Sequence, residues 1–179
     1  MVVKAASSVP LGLDSPEGIE VEPGVVRGFM YENVSVLAWY AAPTVTAIED
    51  LFRLGEPLRR QNPRGGSIVH VMRGDRLTIM DGPARDAMVR VSNELGETTA
   101  GVAVVLAVDG FLASAIRSVI TGLRVRSKHS FEYRLHARCE EVLDWLPAVH
   151  QKKTGVTLDP QKLLEVLQRA AASAPSRRS

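Results

Sequence analysis

Residues 102–108 read Val-Ala-Val-Val-Leu-Ala-Val, an unbroken apolar run rich in β-branched side chains. Branching at Cβ suits extended backbone, and a run without polar alternation marks a strand covered on both faces. Such a strand belongs inside a sheet whose neighbours run parallel to it. Parallel neighbours need crossover connections, so helices are predicted between the strands.

The flanking sequence supplies them. Residues 25–31 and 34–41 are apolar runs separated by Glu32-Asn33, the pattern of a hairpin. Thr46-Ala47-Ile48-Glu49 fits a capping box. Ile48, Leu51, Phe52 and Leu58 continue at helical spacing, with Pro57 forcing a kink or break near Gly55. A loop at 62–66 leads to a third strand at 67–72. Asp81-Gly82-Pro83 opens a helix whose stripe is Ala84, Ala87, Met88, Val91 and Leu95, stopped by Gly96. After the valine run, Asp109-Gly110 turns the chain into a helix at 111–123. A fifth strand at 131–135, a helix at 140–149 and a last helical pattern at 160–172 complete the order. This alternation predicts a single α/β domain, with a mixed central sheet of about five strands and crossover helices.

The chain has 179 residues, enough for one domain with tails. Residues 1–23, punctuated by Pro10, Pro16 and Pro23, read as an extended or disordered N-terminal arm. Residues 24–150 form the α/β domain, and 151–179 a C-terminal helix with a frayed tail. A net charge of +2 and an aromatic content of 5% argue against nucleic acid as a partner. Cys139 is the only cysteine, so no disulfide framework or thiolate metal site arises within one chain. The first residues lack the apolar core of about 7–15 residues that marks a secretory signal, and no run reaches the ~20 residues of a membrane span. A cytoplasmic protein is expected.

Residues 102–123 (VAVVLAVDGFLASAIRSVITGL) and 131–146 (FEYRLHARCEEVLDWL) carry a family resemblance. The matching positions are Gly110, Phe111, Arg117, Ser118, Thr121, Gly122 and Leu123, then Glu140, Glu141, Trp145 and Leu146. Over residues 25–150 the chain resembles STAS domains, the anti-sigma-factor-antagonist family, and in particular a bacterial STAS/Sec14-like group. The resemblance implies one curved sheet with helices on one side, used for binding partners rather than for turnover. Regulatory STAS domains place a phosphorylatable Ser or Thr where the helix after the third strand begins. Here that helix start offers Asp81, and Thr78 lies several residues early, so Asp81 reads as an N-cap carboxylate.

No stretch carries a complete catalytic or cofactor motif. Gly110 stands alone where a dinucleotide site needs three glycines, and no Gly-Lys-Ser/Thr, Gly-x-Ser-x-Gly, His-x-x-x-His or Cys-x-x-Cys occurs. His70, His129, His136 and His150 are scattered, and His70 alternates into an apolar strand as a core imidazole. Cys139, with His136 nearby in sequence, reads as a small buried thiol. No catalytic, cofactor or metal residue is assigned.

Recognition residues are easier to name. Leu112, Ile116, Val119 and Leu123 form the inner stripe of the helix after the valine run. Ser114, Arg117, Thr121 and Arg124 share a polar stripe suited to a carboxylate, a phosphate or an acidic partner segment. Arg124, Arg126 and Lys128, on an extended segment, share one face; with Arg134, His136 and Arg138 they read as protection of a sheet edge. Leu163, Leu164, Val166 and Leu167 need cover, from their own domain or from a second copy. The arm, with Leu11, Leu13, Ile19 and Val21, is suited to extending a neighbour's sheet. The expected function is non-enzymatic: a protein–protein interaction or regulatory scaffold domain using a helix or sheet-edge surface, with a homodimer as one such contact. The alternative is a binder of a small hydrophobic or anionic ligand, held between the sheet and a displaceable terminal helix.

Overall fold

A computed structural model describes residues 15–106, 110–128 and 131–175. Six strands form one sheet: β1 (Ile19–Glu22), β2 (Val26–Tyr31), β3 (Val34–Ala41), β4 (Gly66–Arg76), β5 (Thr99–Leu106) and β6 (Glu132–His136). They lie side by side in chain order. β1, β2 and β3 pair antiparallel, and β3 to β6 run parallel. The expected α/β class and mixed sheet are present. The additional strand, β1, comes from residues assigned to the N-terminal arm: Ile19 pairs with Gly28 of β2 within the same chain. So short a segment has no strand preference of its own, and the neighbouring edge supplies its register.

Between the parallel strands run α1 (Val45–Leu54), α2 (Glu56–Gln61), α3 (Gly82–Leu95) and α4 (Gly110–Arg126). Beyond β6 come a 3₁₀ turn (Cys139–Val142), α5 (Leu146–Thr154) and α6 (Pro160–Ala172). Parallel strands added in sequence by crossovers of one hand leave all their helices on one face. Leu37, Trp39, Met72, Val104 and Leu106 point to that layer, while Val36, Ala38, Val69, Val71, Ala103 and Val105 point to α5 and α6. Helices therefore cover both faces, not the single face that the STAS resemblance implies. The reason lies in β5, buried at every position, which needs cover on each side.

The two helical layers pack differently. α5 lies on β5 and β4, and α6 on β2, β3 and β4. Gly101 permits the close approach: a Cβ there would stand 2.9 Å from the Trp145 ring. Leu163 and Leu167 are fully buried, so the domain itself covers the last helix. On the opposite face α4 lies beside α3 and puts Ile116 into one core cluster with Val104 and Leu106 of β5. Neither α3 nor α4 approaches the strand backbones as closely as α5 and α6 do.

β4 runs on to Arg76 and β5 starts at Thr99, both longer at one end than their apolar runs, and three helix boundaries also differ from those expected. The N-cap of α1 is Thr44, whose hydroxyl accepts from the Ala47 amide, not Thr46 of the apparent capping box. A tertiary contact sets this choice, because Thr44 Oγ1 also donates to Glu22 of β1. The helix expected at 140–149 is split into the 3₁₀ turn and α5, with Pro147 in the first turn of α5. Proline disfavours helical backbone in the residue before it and has no N–H to give, so a new helix starts there. Helix α4 runs on to Arg126, which makes Arg124 and Arg126 helical rather than extended. The break at Gly55 and the Asp81 cap, accepting from the Ala84 amide, are as expected.

Candidate functional site

The space between the sheet and α1–α4 is not completely filled. A cavity of about 220 Å³ remains there. Its floor is the helix-facing row of the parallel strands: Leu37 and Trp39 of β3, Ile68, His70 and Met72 of β4, Val102 and Val104 of β5, and Tyr133 of β6. Its roof is the inner stripes of the helices, including Leu51 and Phe52 of α1, Met88 and Val91 of α3, and Val119 and Leu123 of α4. The walls are aliphatic, aromatic and thioether groups, as period-2 strands and period-3.6 helices dictate when they face one another. None of the lining comes from α5 or α6. The cavity thus lies on the face of the sheet opposite α6, not between the sheet and the terminal helix.

Polar side chains interrupt this lining, and two of them, His70 and Tyr133, rise from the strand floor. His70 accepts at Nδ1 from the Trp39 indole N–H, 3.0 Å away, and the two rings stack 6.1 Å apart. Burial holds the imidazole neutral, its pKa lowered to about 4. An indole N–H only donates, so the proton of the neutral ring sits on Nε2. Tyr133 lies two strands away and one cross-strand row along, and burial pushes its phenol pKa up. Among the described residues neither His70 Nε2 nor the Tyr133 hydroxyl has a hydrogen-bond partner. Arg59 also borders the cavity, but its guanidinium donates to the Phe52 carbonyl and lies 4.3 Å over the Phe52 ring.

A second polar cluster lies on the opposite face. Ser67 Oγ is 2.8 Å from His150 Nδ1, His150 Nε2 is 2.7 Å from Asn33 Oδ1, and Asn33 Nδ2 donates to the Gly65 carbonyl. The amide orientation makes Asn33 Oδ1 an acceptor, so His150 carries its proton on Nε2 and Ser67 donates to Nδ1. This is the connectivity of a base-activated serine. Its surroundings are not those of an active site: Ser67 is 1% exposed and His150 0%, leaving no approach to Oγ. Every polar atom in the chain of contacts is used. The cluster pins the β2–β3 turn, the start of β4 and α5 together.

The residues assigned to partner recognition lie on α4 and are all exposed. Their hydroxyls are committed to the helix itself, Ser114 Oγ donating to the Gly110 carbonyl and Thr121 Oγ1 to that of Arg117. Arg117 and Arg124 form no ion pair among the described residues; Arg126 pairs with Asp86 at 2.8 Å. Arg134 lies on edge strand β6, 4.9 Å over the Trp145 ring. Cys139 donates to the Leu167 carbonyl, and burial pushes its thiol pKa up to about 11. That is a structural thiol. Leu11, Leu13, Asp109 and His129 lie outside the described residues.

The fold and this geometry define an α/β protein with an apolar cavity roofed by four helices. Compared with known proteins, the chain matches no family model, no curated protein and no solved structure. No match identifies a STAS domain. Among the described residues no helix is long and apolar enough to cross a membrane, and no three His, Cys, Asp or Glu side chains gather as a metal site.

Proposed function

We propose that the protein binds a small, largely apolar molecule in the cavity beneath α1–α4, without turnover. The observation that carries this reading is the unfilled volume, about 220 Å³, opposite a closely packed second face. Closely packed interiors hold few voids larger than a water, and this recess has room for a small molecule. The recess is partly open to solvent, so its apolar walls stay in contact with water until a fitted apolar molecule covers them, and that burial is the driving force for binding. Trp39 lines the cavity and reports on it, so the test is Trp39 emission in a Trp145→Phe background. Medium-chain alcohols, ketones and substituted benzenes are titrated, with thermal unfolding measured in parallel. Saturable emission changes with a concentration-dependent rise in Tm are expected. No response to any of these compounds overturns the reading.

The outer surface of α4 favours a second reading, contact with another protein. Phe111 is 87% exposed and Val125 81%, and the two fall on the same side of the helix beside the Arg117–Arg124 stripe. A self-complementary contact there gives a homodimer, and an acidic partner surface suits the arginines. Light scattering after size exclusion tests the dimer: a mass twice that of the chain, reduced to the monomer by Phe111→Ser with Val125→Ser, is the expected result. A monomer at every concentration argues against it.

A further inference from the structure

We propose that the occupant of the cavity is a neutral apolar molecule carrying a carbonyl-type hydrogen-bond acceptor, received by His70 Nε2–H with the Tyr133 hydroxyl as a second donor. This rests on the reading of the cavity as a ligand site. The Trp39 indole occupies Nδ1 at 3.0 Å and so fixes the tautomer that points a donor away from Trp39. The strand neighbours of His70 in its row, Leu37 and Val104, are apolar and offer no acceptor. Tyr133 faces the same space, and its hydroxyl has no partner among the described residues. Both residues are half-buried, so the two donors reach the cavity without being sealed from water. An acceptor that arrives with an apolar ligand would take the place of that water and leave neither donor unpaired once the ligand covers them. Both donors are neutral. Arg59 is engaged with Phe52, and Arg124 borders the cavity only as an exposed side chain at its rim, so a carboxylate placed beside His70 and Tyr133 would lose its hydration without meeting a buried cation. A ketone, aldehyde or ester fits; an acid anion does not.

The experiment compares three molecules of one shape: 2-nonanone, 2-methyl-1-nonene, in which a methylene replaces the carbonyl oxygen, and nonanoate. Each is titrated at pH 7.5 into the full chain and its His70→Phe and Tyr133→Phe variants, read by Trp39 emission and by Tm. The ketone is expected to bind the parent protein about tenfold more tightly than the alkene, equivalent to ~1.4 kcal/mol. That preference is expected to fall to within about twofold in His70→Phe and by a smaller factor in Tyr133→Phe. The carbonyl stretch of bound 2-nonanone is expected at lower wavenumber than in hexane. Equal binding of ketone and alkene by the parent protein overturns the proposal while leaving the cavity a ligand site, and needs no variant to fold. Tighter binding of nonanoate overturns the neutral class. Binding of none of the three removes the proposal together with the reading it rests on.

Discussion

His150 enters the core between Ser67 and Asn33 with both ring nitrogens bonded, and His70 sits under the helix layer with one bonded. Burial lowers the pKa of each to about 4, below the ordinary 6.5. A folded-state value below the unfolded one means the unfolded chain takes up protons first as pH falls. The stability these residues contribute is thus complete above pH 6.5 and is lost between 6.5 and 4, about 3 kcal/mol for each at most. Urea midpoints should fall steadily across that window, and a flat profile would show that the imidazoles are not held neutral by burial. Gly65 makes a sharper residue-level prediction. Its φ is +87°, and a Cβ there would lie 1.9 Å from the Thr98 carbonyl oxygen. Gly65→Ala must move backbone, so a loss of more than about 2 kcal/mol is expected by chemical denaturation. The glycine was legible as a loop residue; the Thr98 carbonyl that makes it obligatory was not, because that contact exists only once β4 and β5 lie side by side.

At the scale of elements, α6 and α4 show opposite relations to the sheet. α6 inserts Leu163 and Leu167 into the core with Phe29 and Val36. Leu167→Ala is expected to cost about 2–5 kcal/mol, visible as a lower Tm, since little can collapse into the space left behind. α4 buries Ala113 and Ile116 but leaves Val119 and Leu123 on the cavity. Val119→Phe adds volume where there is room, so stability is expected to hold or rise while ligand-induced Tm shifts disappear. A drop of several degrees instead would mean the space is not there. Both helices were readable from their apolar stripes, as was the break at Gly55. Pro147 was a visible signal for the split at α5 that helical spacing on either side of it concealed. The Thr44 cap depended on Glu22 of β1, a strand whose existence only its neighbour decides.

At the scale of the molecule, the parallel order β3 to β6 places α1–α4 on one face and sends the chain after β6 to cover the other. The cavity belongs to this arrangement rather than to any segment, since its walls come from five strands and the helices above them. The amino-acid sequence alone determined the α/β class, the mixed sheet, the buried middle strand and most helix limits. These follow from periods of two and 3.6 residues, and periodicity is a local property of the chain. Tertiary structure alone decided that β1 joins the sheet, that helices cover both faces, and that His150 meets Ser67 and Asn33. It also decided that α1–α4 leave a recess above the strands, with His70 and Tyr133 facing it. Those outcomes depend on distances between residues far apart in the chain, which packing sets and no local pattern encodes.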